Sequence, residues 1–294
     1  MHKNRAVTKV IIPVAGSGTR FLPATKAQPK EMLPVIDKPV IQYLVEEAVE
    51  AGITDIIFIT GRNKRAIEDH FDASPELEAQ LENNGKEEVL ERIRRVSELA
   101  RFSYVRQRAP LGDGDAILTA EHLVDDDEPV GVMFGDDIFV GSAPRLTQIG
   151  AVYAERGEVV AALEEVPREE VSRYGVVDGE DIGGGVFDIK TIVEKPKVEE
   201  APSNMILMGT YIINKDVFRE LRSLKERTTE GEVRLADALK AYLAMRPVLG
   251  VRMDGKRYDC GDKLGYLKTT VDFALMHPEF KDDFRAYIRE KVSE

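Results

Sequence analysis

A short apolar segment that runs into a glycine-rich turn constrains the fold of this chain more than any other feature. Residues 9–15 read Lys-Val-Ile-Ile-Pro-Val-Ala, which is typical of a strand buried on both faces, and residues 16–20 read Gly-Ser-Gly-Thr-Arg. Apolar residues then recur at helical spacing over 39–52, with Asp37 as the predicted N-cap, and a second apolar strand follows at 55–60. A strand, a helix and a strand in this order predict a parallel pair with a right-handed crossover.

The same alternation continues through the first half of the chain. Further strands are predicted at 102–106, 129–134 and 158–166, with helices around 115–123 and 144–156 between them. Repeated strand–helix units of this kind predict a largely parallel sheet with helices on both faces.

Beyond residue 167 the pattern changes to strands that are joined by glycine-rich turns. Strands are predicted at 174–178, 186–194 and 205–213, and helices at 232–245, 261–276 and 282–292. This change predicts an antiparallel or mixed extension of the sheet.

No internal repeat or low-complexity linker divides the chain. We therefore predict one domain over 1–294, with a charged helical insertion at about 75–100 and C-terminal helices at about 261–292. The expected fold class is α/β, a three-layer α/β/α Rossmann-like fold with a mixed, mainly parallel central sheet.

The charge balance excludes two classes of partner. Lys and Arg number 41, Asp and Glu number 53, and the net charge is −12. Non-specific binding to nucleic acid or to a membrane surface needs a cationic face, so neither partner is expected. No apolar run approaches the ~20 residues of a membrane span, and the polar start does not resemble a secretory signal. We expect a cytoplasmic protein.

Cysteine and histidine usage offers no zinc-type site. Cys260 is the one cysteine in the sequence, which excludes an intrachain disulfide. The four histidines, His2, His70, His122 and His277, stand without ligand spacing. We interpret all five residues as structural.

The glycine-rich turn lies where open α/β sheets bind ligands, at the carboxyl end of a strand. Glycine lets backbone N–H groups approach an anion closely. A dinucleotide fingerprint needs a third glycine where this chain has Phe21, and no Walker-type Gly-Lys-Ser/Thr follows a strand. The turn instead continues into a proline-stiffened segment that adds the cations of Arg20 and Lys30. The segment is either an ordinary rigid connection or a loop that binds phosphate.

Three further groups of residues each have two interpretations. Asp136 and Asp137 follow an apolar strand, where they either bind Mg²⁺ or cap a turn. Glu194 and Lys195 close another strand and are either a surface ion pair or a pair that binds a sugar phosphate. Gln107 either reads a pyrimidine edge or lies on the surface.

Residues 16–34 resemble the signature of the sugar-1-phosphate nucleotidyltransferases. Residues 24–34, Ala-Thr-Lys-Ala-Gln-Pro-Lys-Glu-Met-Leu-Pro, resemble the form found in the bacterial uridylyltransferases of that family. Further matching blocks follow in order at 69–80, 106–107, 134–137, 174–177, 193–197, 201–204 and 259–266. Several blocks in order are more specific than any one of them.

The resemblance implies the nucleotidyltransferase version of the α/β fold. It also implies that UTP and glucose 1-phosphate give UDP-glucose and pyrophosphate, with Mg²⁺ as cofactor, in a homo-oligomer. It assigns catalysis to Arg20, Lys30 and Lys195, nucleotide binding to Ala15, Gly16, Gly18, Thr19, Gln107, Gly112 and Asp136, sugar-phosphate binding to Asp137, Gly175, Glu194 and Lys195, and metal binding to Asp136 and Asp259.

Rival functions stay open. A thymidylyltransferase would use dTTP, whose base differs by one methyl; a non-catalytic sensor would keep the fold as an interaction module. A glycosyltransferase would consume a UDP-sugar and need an acceptor. The chain departs from the family pattern at Asp115, where many relatives carry histidine.

Overall fold

A mixed sheet of nine strands forms the centre of the molecule in the computed structural model, which describes residues 5–293. The strands are β1 (Lys9–Pro13), β2 (Pro34–Val35), β3 (Lys38–Pro39), β4 (Asp55–Thr60), β5 (Arg101–Arg106), β6 (Val130–Met133), β7 (Asp137–Gly141), β8 (Val159–Glu165), β9 (Gly175–Gly183), β10 (Val186–Glu194), β11 (Met205–Ile213), β12 (Val248–Arg252) and β13 (Gly255–Asp259). The helices are α1 (Val40–Glu50), α2 (Arg65–Phe71), α3 (Pro75–Asn83), α4 (Glu87–Ser97), α5 (Asp113–Thr119), α6 (Arg145–Arg156), α7 (Lys215–Arg227), α8 (Leu235–Leu243), α9 (Lys263–Met276) and α10 (Lys281–Ser293). His2 lies outside the described residues.

The sheet has a parallel half and a mixed half, in the order β5-β4-β1-β6-β11-β8-β12-β10-β9. Strands β5, β4, β1 and β6 are parallel neighbours, as are β8 and β12. Strands β11 and β10 run against the strands beside them. The predicted mixed, mainly parallel sheet is confirmed. Two small ribbons, β2–β3 and β7–β13, lie outside it.

Strand β1 shows how the sheet is buried on both faces. Val10 and Ile12 pack in one core with apolar residues of α1 and α6, whereas Ile11 faces a second core with residues of α5, α7 and α8. Successive side chains of a strand point to opposite faces, so the continuous apolar run of β1 serves both cores. Helices on both faces produce the three layers.

The predicted helical insertion corresponds to α3 and α4, and the predicted C-terminal helices correspond to α9 and α10. Helices α2 and α7 and strands β7, β12 and β13 were not predicted. The predicted N-cap Asp37 is wrong, because residues 38–39 are extended in the β2–β3 ribbon and α1 starts after Pro39 without a side-chain cap. The Asp37 carboxylate instead accepts a hydrogen bond from Arg92 Nη2 at 2.6 Å.

Among residues 5–293, no helix is both long and apolar enough to span a bilayer. Cys260 is buried and free, and burial raises the pKa of its thiol to about 12. A protonated, buried thiol agrees with a structural cysteine. The extent of the domain over 1–294 stays a prediction.

Candidate active site

A cleft of about 480 Å³ opens where the loop after β1 meets the ends of β5, β6 and β13 and the open end of the β9–β10 hairpin. Most sequence-assigned residues line it: Ala15, Gly16, Arg20, Lys30, Gln107, Gly112, Asp136, Asp137, Gly175, Glu194, Lys195 and Asp259. Parallel strands of an α/β sheet bring their carboxyl ends to one edge, which explains why residues distant in sequence converge there.

Gly18 and Thr19 do not line the cleft, unlike the other assigned residues of the loop. Gly18 has a φ of 63°, and its carbonyl oxygen accepts a hydrogen bond from Thr25 Oγ1 at 2.7 Å. Thr19 begins a short 3-10 turn over Thr19–Phe21, which Phe21 anchors in the interior. Gly18 and Thr19 therefore stabilise the conformation of the loop and do not face the cleft.

Lys30 and Asp136 form the central ion pair of the cleft. Lys30 Nζ lies 2.6 Å from Asp136 Oδ2, and Arg20 Nη1 donates to the carbonyl oxygen of Gly261 at 3.3 Å. Burial alone lowers the pKa of Lys30, but the charges of Asp136 and Glu31 outweigh it, so the pKa of Lys30 lies above its usual value. Burial likewise raises the pKa of Asp136, but the Lys30 ammonium holds it below its usual value. Both side chains are charged.

A second ion pair, fully buried, lies under the first. Glu31 and Lys64 are 1% and 5% exposed at their side chains and approach to 2.7 Å. Burial raises the pKa of Glu31 and lowers the pKa of Lys64 against their mutual attraction. The pair connects two segments: the 3-10 turn that contains Lys30, and the loop after β4.

Asp136 and Asp259 have the chemistry of a site for a hard divalent cation. A side-chain Cβ at Gly261 would lie 2.9 Å from Asp136 Oδ2 and 3.0 Å from Asp259 Oδ1, so both carboxylates face the space that glycine leaves open. Mg²⁺ characteristically takes one or two carboxylates together with water and substrate phosphates. Residues 5–293 contain no cluster of three or more His, Cys, Asp or Glu side chains that could hold a metal. An ion bound by these two carboxylates would take its other ligands from water or from substrate phosphates.

Asp259 is held by residues that the sequence analysis missed. Arg173 Nη2 and the Tyr174 hydroxyl donate to Asp259 Oδ2 at 2.8 and 3.0 Å. Arg173 also pairs with Asp262. Tyr174 is the first residue of the matching block at 174–177 and Arg173 directly precedes that block, which was the available signal.

Arg257 is a second cation of the cleft lining that the sequence analysis missed. It lies on β13, is 7% exposed at its side chain, and is shared between Asp137 and Glu164. Burial would lower the pKa of Arg257, but these carboxylates raise it above its usual value. Burial raises the pKa of Asp137 to about 7 despite the neighbouring Arg257 charge. No local motif marks Arg257, because its role depends on the pairing of β13 with β7.

Glu194 and Lys195 stand opposite Gly175 at the open end of the hairpin. Gly175 pairs with Glu194 in register, and the Glu194 carboxylate accepts a hydrogen bond from Arg234 Nη1 at 3.1 Å. Lys195 has a φ of 45° and a half-exposed side chain. A non-glycine residue in this region of φ is uncommon, and strained residues of this kind cluster at active sites.

Gln107 and Gly112 form the opposite wall. Gly112 has a φ of 106°, and a Cβ there would lie 2.3 Å from the carbonyl oxygen of Val233, so no side chain fits. Gln107 is 8% exposed and donates to the Gly112 carbonyl oxygen at 3.0 Å. The surface interpretation of Gln107 is wrong.

Comparison with known proteins agrees with this geometry. A family model described as nucleotidyl transferase matches residues 9–274. The chain belongs to the nucleotidyl transferase family. Among its curated relatives is a UTP–glucose-1-phosphate uridylyltransferase of Bacillus subtilis, 47% identical over 288 residues that cover 98% of this chain and 96% of the relative.

Solved nucleotidyl transferases share the same fold. A UDP-glucose pyrophosphorylase complexed with UDP-glucose is 42% identical, with a TM-score of 0.83, covering 92% of this chain and 100% of the other. A UTP-bound UDP-glucose pyrophosphorylase (UGPase) from Acinetobacter baumannii is 37% identical, with a TM-score of 0.88, covering 97% and 99%. The predicted family is confirmed. Nucleotidyl transferases of this kind generally use a divalent metal.

Proposed function

We propose that this chain transfers the uridylyl group of UTP to glucose 1-phosphate and releases pyrophosphate. The observation that carries the proposal is one cleft that gathers cations from Arg20, Lys30 and Lys195 with the carboxylates of Asp136 and Glu194. The similarity to UTP–glucose-1-phosphate uridylyltransferases over nearly the whole chain supports it.

The chemistry is a single in-line displacement. A phosphate oxygen of glucose 1-phosphate attacks the α-phosphorus of UTP, a new O–P bond forms, and the bond to the β-phosphate oxygen breaks. Pyrophosphate leaves with the electron pair. The attacking oxygen is already anionic at neutral pH, so this step needs no general base.

The main barrier is the repulsion between two anionic substrates, which together carry about six negative charges at pH 7. Positioning and charge stabilisation dominate such transfers. Lys195 at the hairpin meets the sugar phosphate, while the loop at 15–16 and Arg20 hold the triphosphate. Lys30 is a charged ammonium beside Asp136 and lines the same cleft.

The sugar lies against Gly175 and Glu194. The Glu194 carboxylate accepts hydrogen bonds from sugar hydroxyls, as an acceptor-only group does. Arg234 orients that carboxylate from behind. Asp137 lines the neighbouring wall.

Asp136 and Asp259 would hold Mg²⁺. When bound, the ion offsets negative charge on the phosphates. Lys30 keeps Asp136 ionised, and Arg173 and Tyr174 orient Asp259, so both carboxylates are prepared as ligands. A cytoplasmic location and a homo-oligomeric state belong to the same proposal.

A substrate matrix tests the function. Pyrophosphate release is measured with UTP, dTTP, CTP and ATP against glucose 1-phosphate and other sugar 1-phosphates. We expect UTP with glucose 1-phosphate to be the best pair. Higher kcat/KM with dTTP identifies the thymidylyltransferase instead, and no release with any pair identifies the sensor or the glycosyltransferase. One methyl is worth only about 1–3 kcal/mol of discrimination, so initial rates must be compared directly.

A further inference from the structure

Asp115 is a buried carboxylate close to the cleft that has no place in the proposed reaction. It lies in the first turn of α5, is 3% exposed, and does not line the cleft. Its Oδ2 accepts a hydrogen bond from Gln107 Nε2 at 2.8 Å, and its Oδ1 lies 2.6 Å from Lys225 Nζ.

The contacts of Gln107 determine which way its amide faces. Nε2 donates to the Gly112 carbonyl oxygen at 3.0 Å and to the Asp115 carboxylate at 2.8 Å. Both partners only accept hydrogen bonds, so the amide nitrogen and not the amide oxygen must face them. Because both Nε2 hydrogens are committed, Oε1 is the polar atom of this side chain that remains for a ligand.

The backbone around these acceptors is rigid. Val233 N donates to Leu111 O at 2.7 Å, and Gly114 N donates to Val233 O at 2.9 Å. Asp113 Oδ1 accepts from Leu235 N at 2.7 Å. These bonds fasten the start of α5 to the start of α8 and fix the Gly112 carbonyl and Asp115 in place.

We propose that Asp115 is a positioning residue that keeps the Gln107 amide oxygen turned toward the nucleotide base and thereby selects uracil over cytosine. Uracil carries an N3–H donor that this oxygen accepts. Cytosine has a lone pair at N3, which the same oxygen repels. The inference rests on the proposed function, since it takes the base to be a pyrimidine of a nucleoside triphosphate.

Lys225 holds the other oxygen of Asp115 from the surface side. Its side chain is 48% exposed, and it lies on α7. The chain of contacts therefore runs from a surface ammonium, through a buried carboxylate, to the amide that faces the base.

The test compares Asp115→Leu with Asp115→Asn. Leucine offers no acceptor, whereas the Asn Oδ1 still accepts from Gln107 Nε2. Calorimetry with UTP and with CTP gives the two affinities, and kcat/KM is measured for each with glucose 1-phosphate. We expect Asp115→Leu to lower the UTP-to-CTP preference about tenfold, the worth of one buried hydrogen bond, and Asp115→Asn to restore most of it. KM for glucose 1-phosphate should stay unchanged.

The matched control is Glu121→Leu, which removes a carboxylate that pairs with Arg222, also on α7 but away from the cleft. It should keep the wild-type preference for UTP over CTP.

Two results overturn the proposal. One is an Asp115→Leu variant with the same UTP-to-CTP preference as wild type. The other is an Asp115→Asn variant whose preference is as low as that of Asp115→Leu, which would show that charge alone matters. If Asp115→Leu does not fold, Asp115→Ala is the second acceptor-free variant. Wild-type protein that binds UTP but releases no pyrophosphate contradicts the proposed function and leaves the binding comparison intact.

Discussion

Lys195 combines an exposed ammonium with a backbone conformation that costs free energy. Its φ of 45° disfavours any side chain, yet the residue at this position is a lysine. We expect Lys195→Ala and Lys195→Gly to lower kcat by ~100-fold or more, because both remove the charge that we propose meets the sugar phosphate. The glycine variant should be more stable than the alanine variant by about 1 kcal/mol. Steady-state kinetics and urea unfolding check the two effects, and near-wild-type turnover in both variants would reject the assigned role.

Arg20 is an exposed residue that lines the cleft and donates a hydrogen bond to the carbonyl oxygen of Gly261, near Asp136 and Asp259. We expect Arg20→Ala to lower kcat by ~100-fold or more, because one preorganised charge toward the pyrophosphate is lost. Lys26→Ala is the control, since Lys26 is an exposed cation on a neighbouring turn and does not line the cleft. Equal effects from both variants would mean that net charge, not position, matters.

Asp113 makes stability depend on pH. Burial raises its pKa from 3.8 to about 6, with Glu194 adding to the shift and the Leu235 N–H opposing it. A raised pKa means that the folded state favours the neutral acid, so the stabilisation present below about pH 4 is lost as pH rises through 6. We expect Asp113→Asn to be more stable than wild type by about 1–3 kcal/mol near pH 8 and not near pH 4. Urea unfolding at both pH values measures this, and a gain that is equal at both excludes the titration.

At the scale of elements, the Glu31–Lys64 ion pair connects two segments. One is the turn that contains Lys30, and the other is the loop between β4 and α2. Removing one partner of a buried pair leaves an uncompensated charge, so we expect Lys64→Met to cost about 3–5 kcal/mol of unfolding free energy. Glu31→Gln combined with Lys64→Met should recover part of the loss. A double-mutant cycle gives the coupling, and additive effects would show that the pair does not act as a unit.

The sequence predicted the elements whose pattern is local. The apolar run of β1 and the spacing of α1 are strong signals, and both elements form as expected. Helix α7 was missed, although Asn214 caps it and the apolar residues Val217, Phe218 and Leu221 are buried on one face. The many charged residues of this segment obscured the helical spacing of its apolar residues. Strand β13 gave no such signal, because its short segment is extended only through pairing with β7.

At the scale of the whole molecule, the proposed reaction uses a divalent cation, for which Asp136 and Asp259 are the proposed ligands. We expect a chelator to abolish turnover and Mg²⁺ to restore it. If substrate phosphates supply further ligands to the ion, Mg²⁺ should raise the melting temperature much more with UTP present than without it. Full activity in chelator would remove the metal from the reaction, and equal stabilisation without UTP would show a site built by the protein alone.

Motifs located the residues proposed to contact the substrates better than the residues that orient those side chains. Lys30, Asp136 and Glu194 belong to short blocks that read directly from the sequence. Arg257 and Lys64 do not, since each acts through a partner far along the chain. Such partners become visible only when the sheet brings them together.

Cys260 follows Asp259 directly in the sequence, and its backbone N–H donates a hydrogen bond to the Asp136 carbonyl oxygen at 3.0 Å. Its side chain is buried, so solvent reaches the thiol only when this part of the structure opens. It is the sole thiol of the sequence. The rate at which an alkylating reagent labels it therefore measures how often the structure around Asp136 and Asp259 opens, and we expect added nucleotide to slow the labelling.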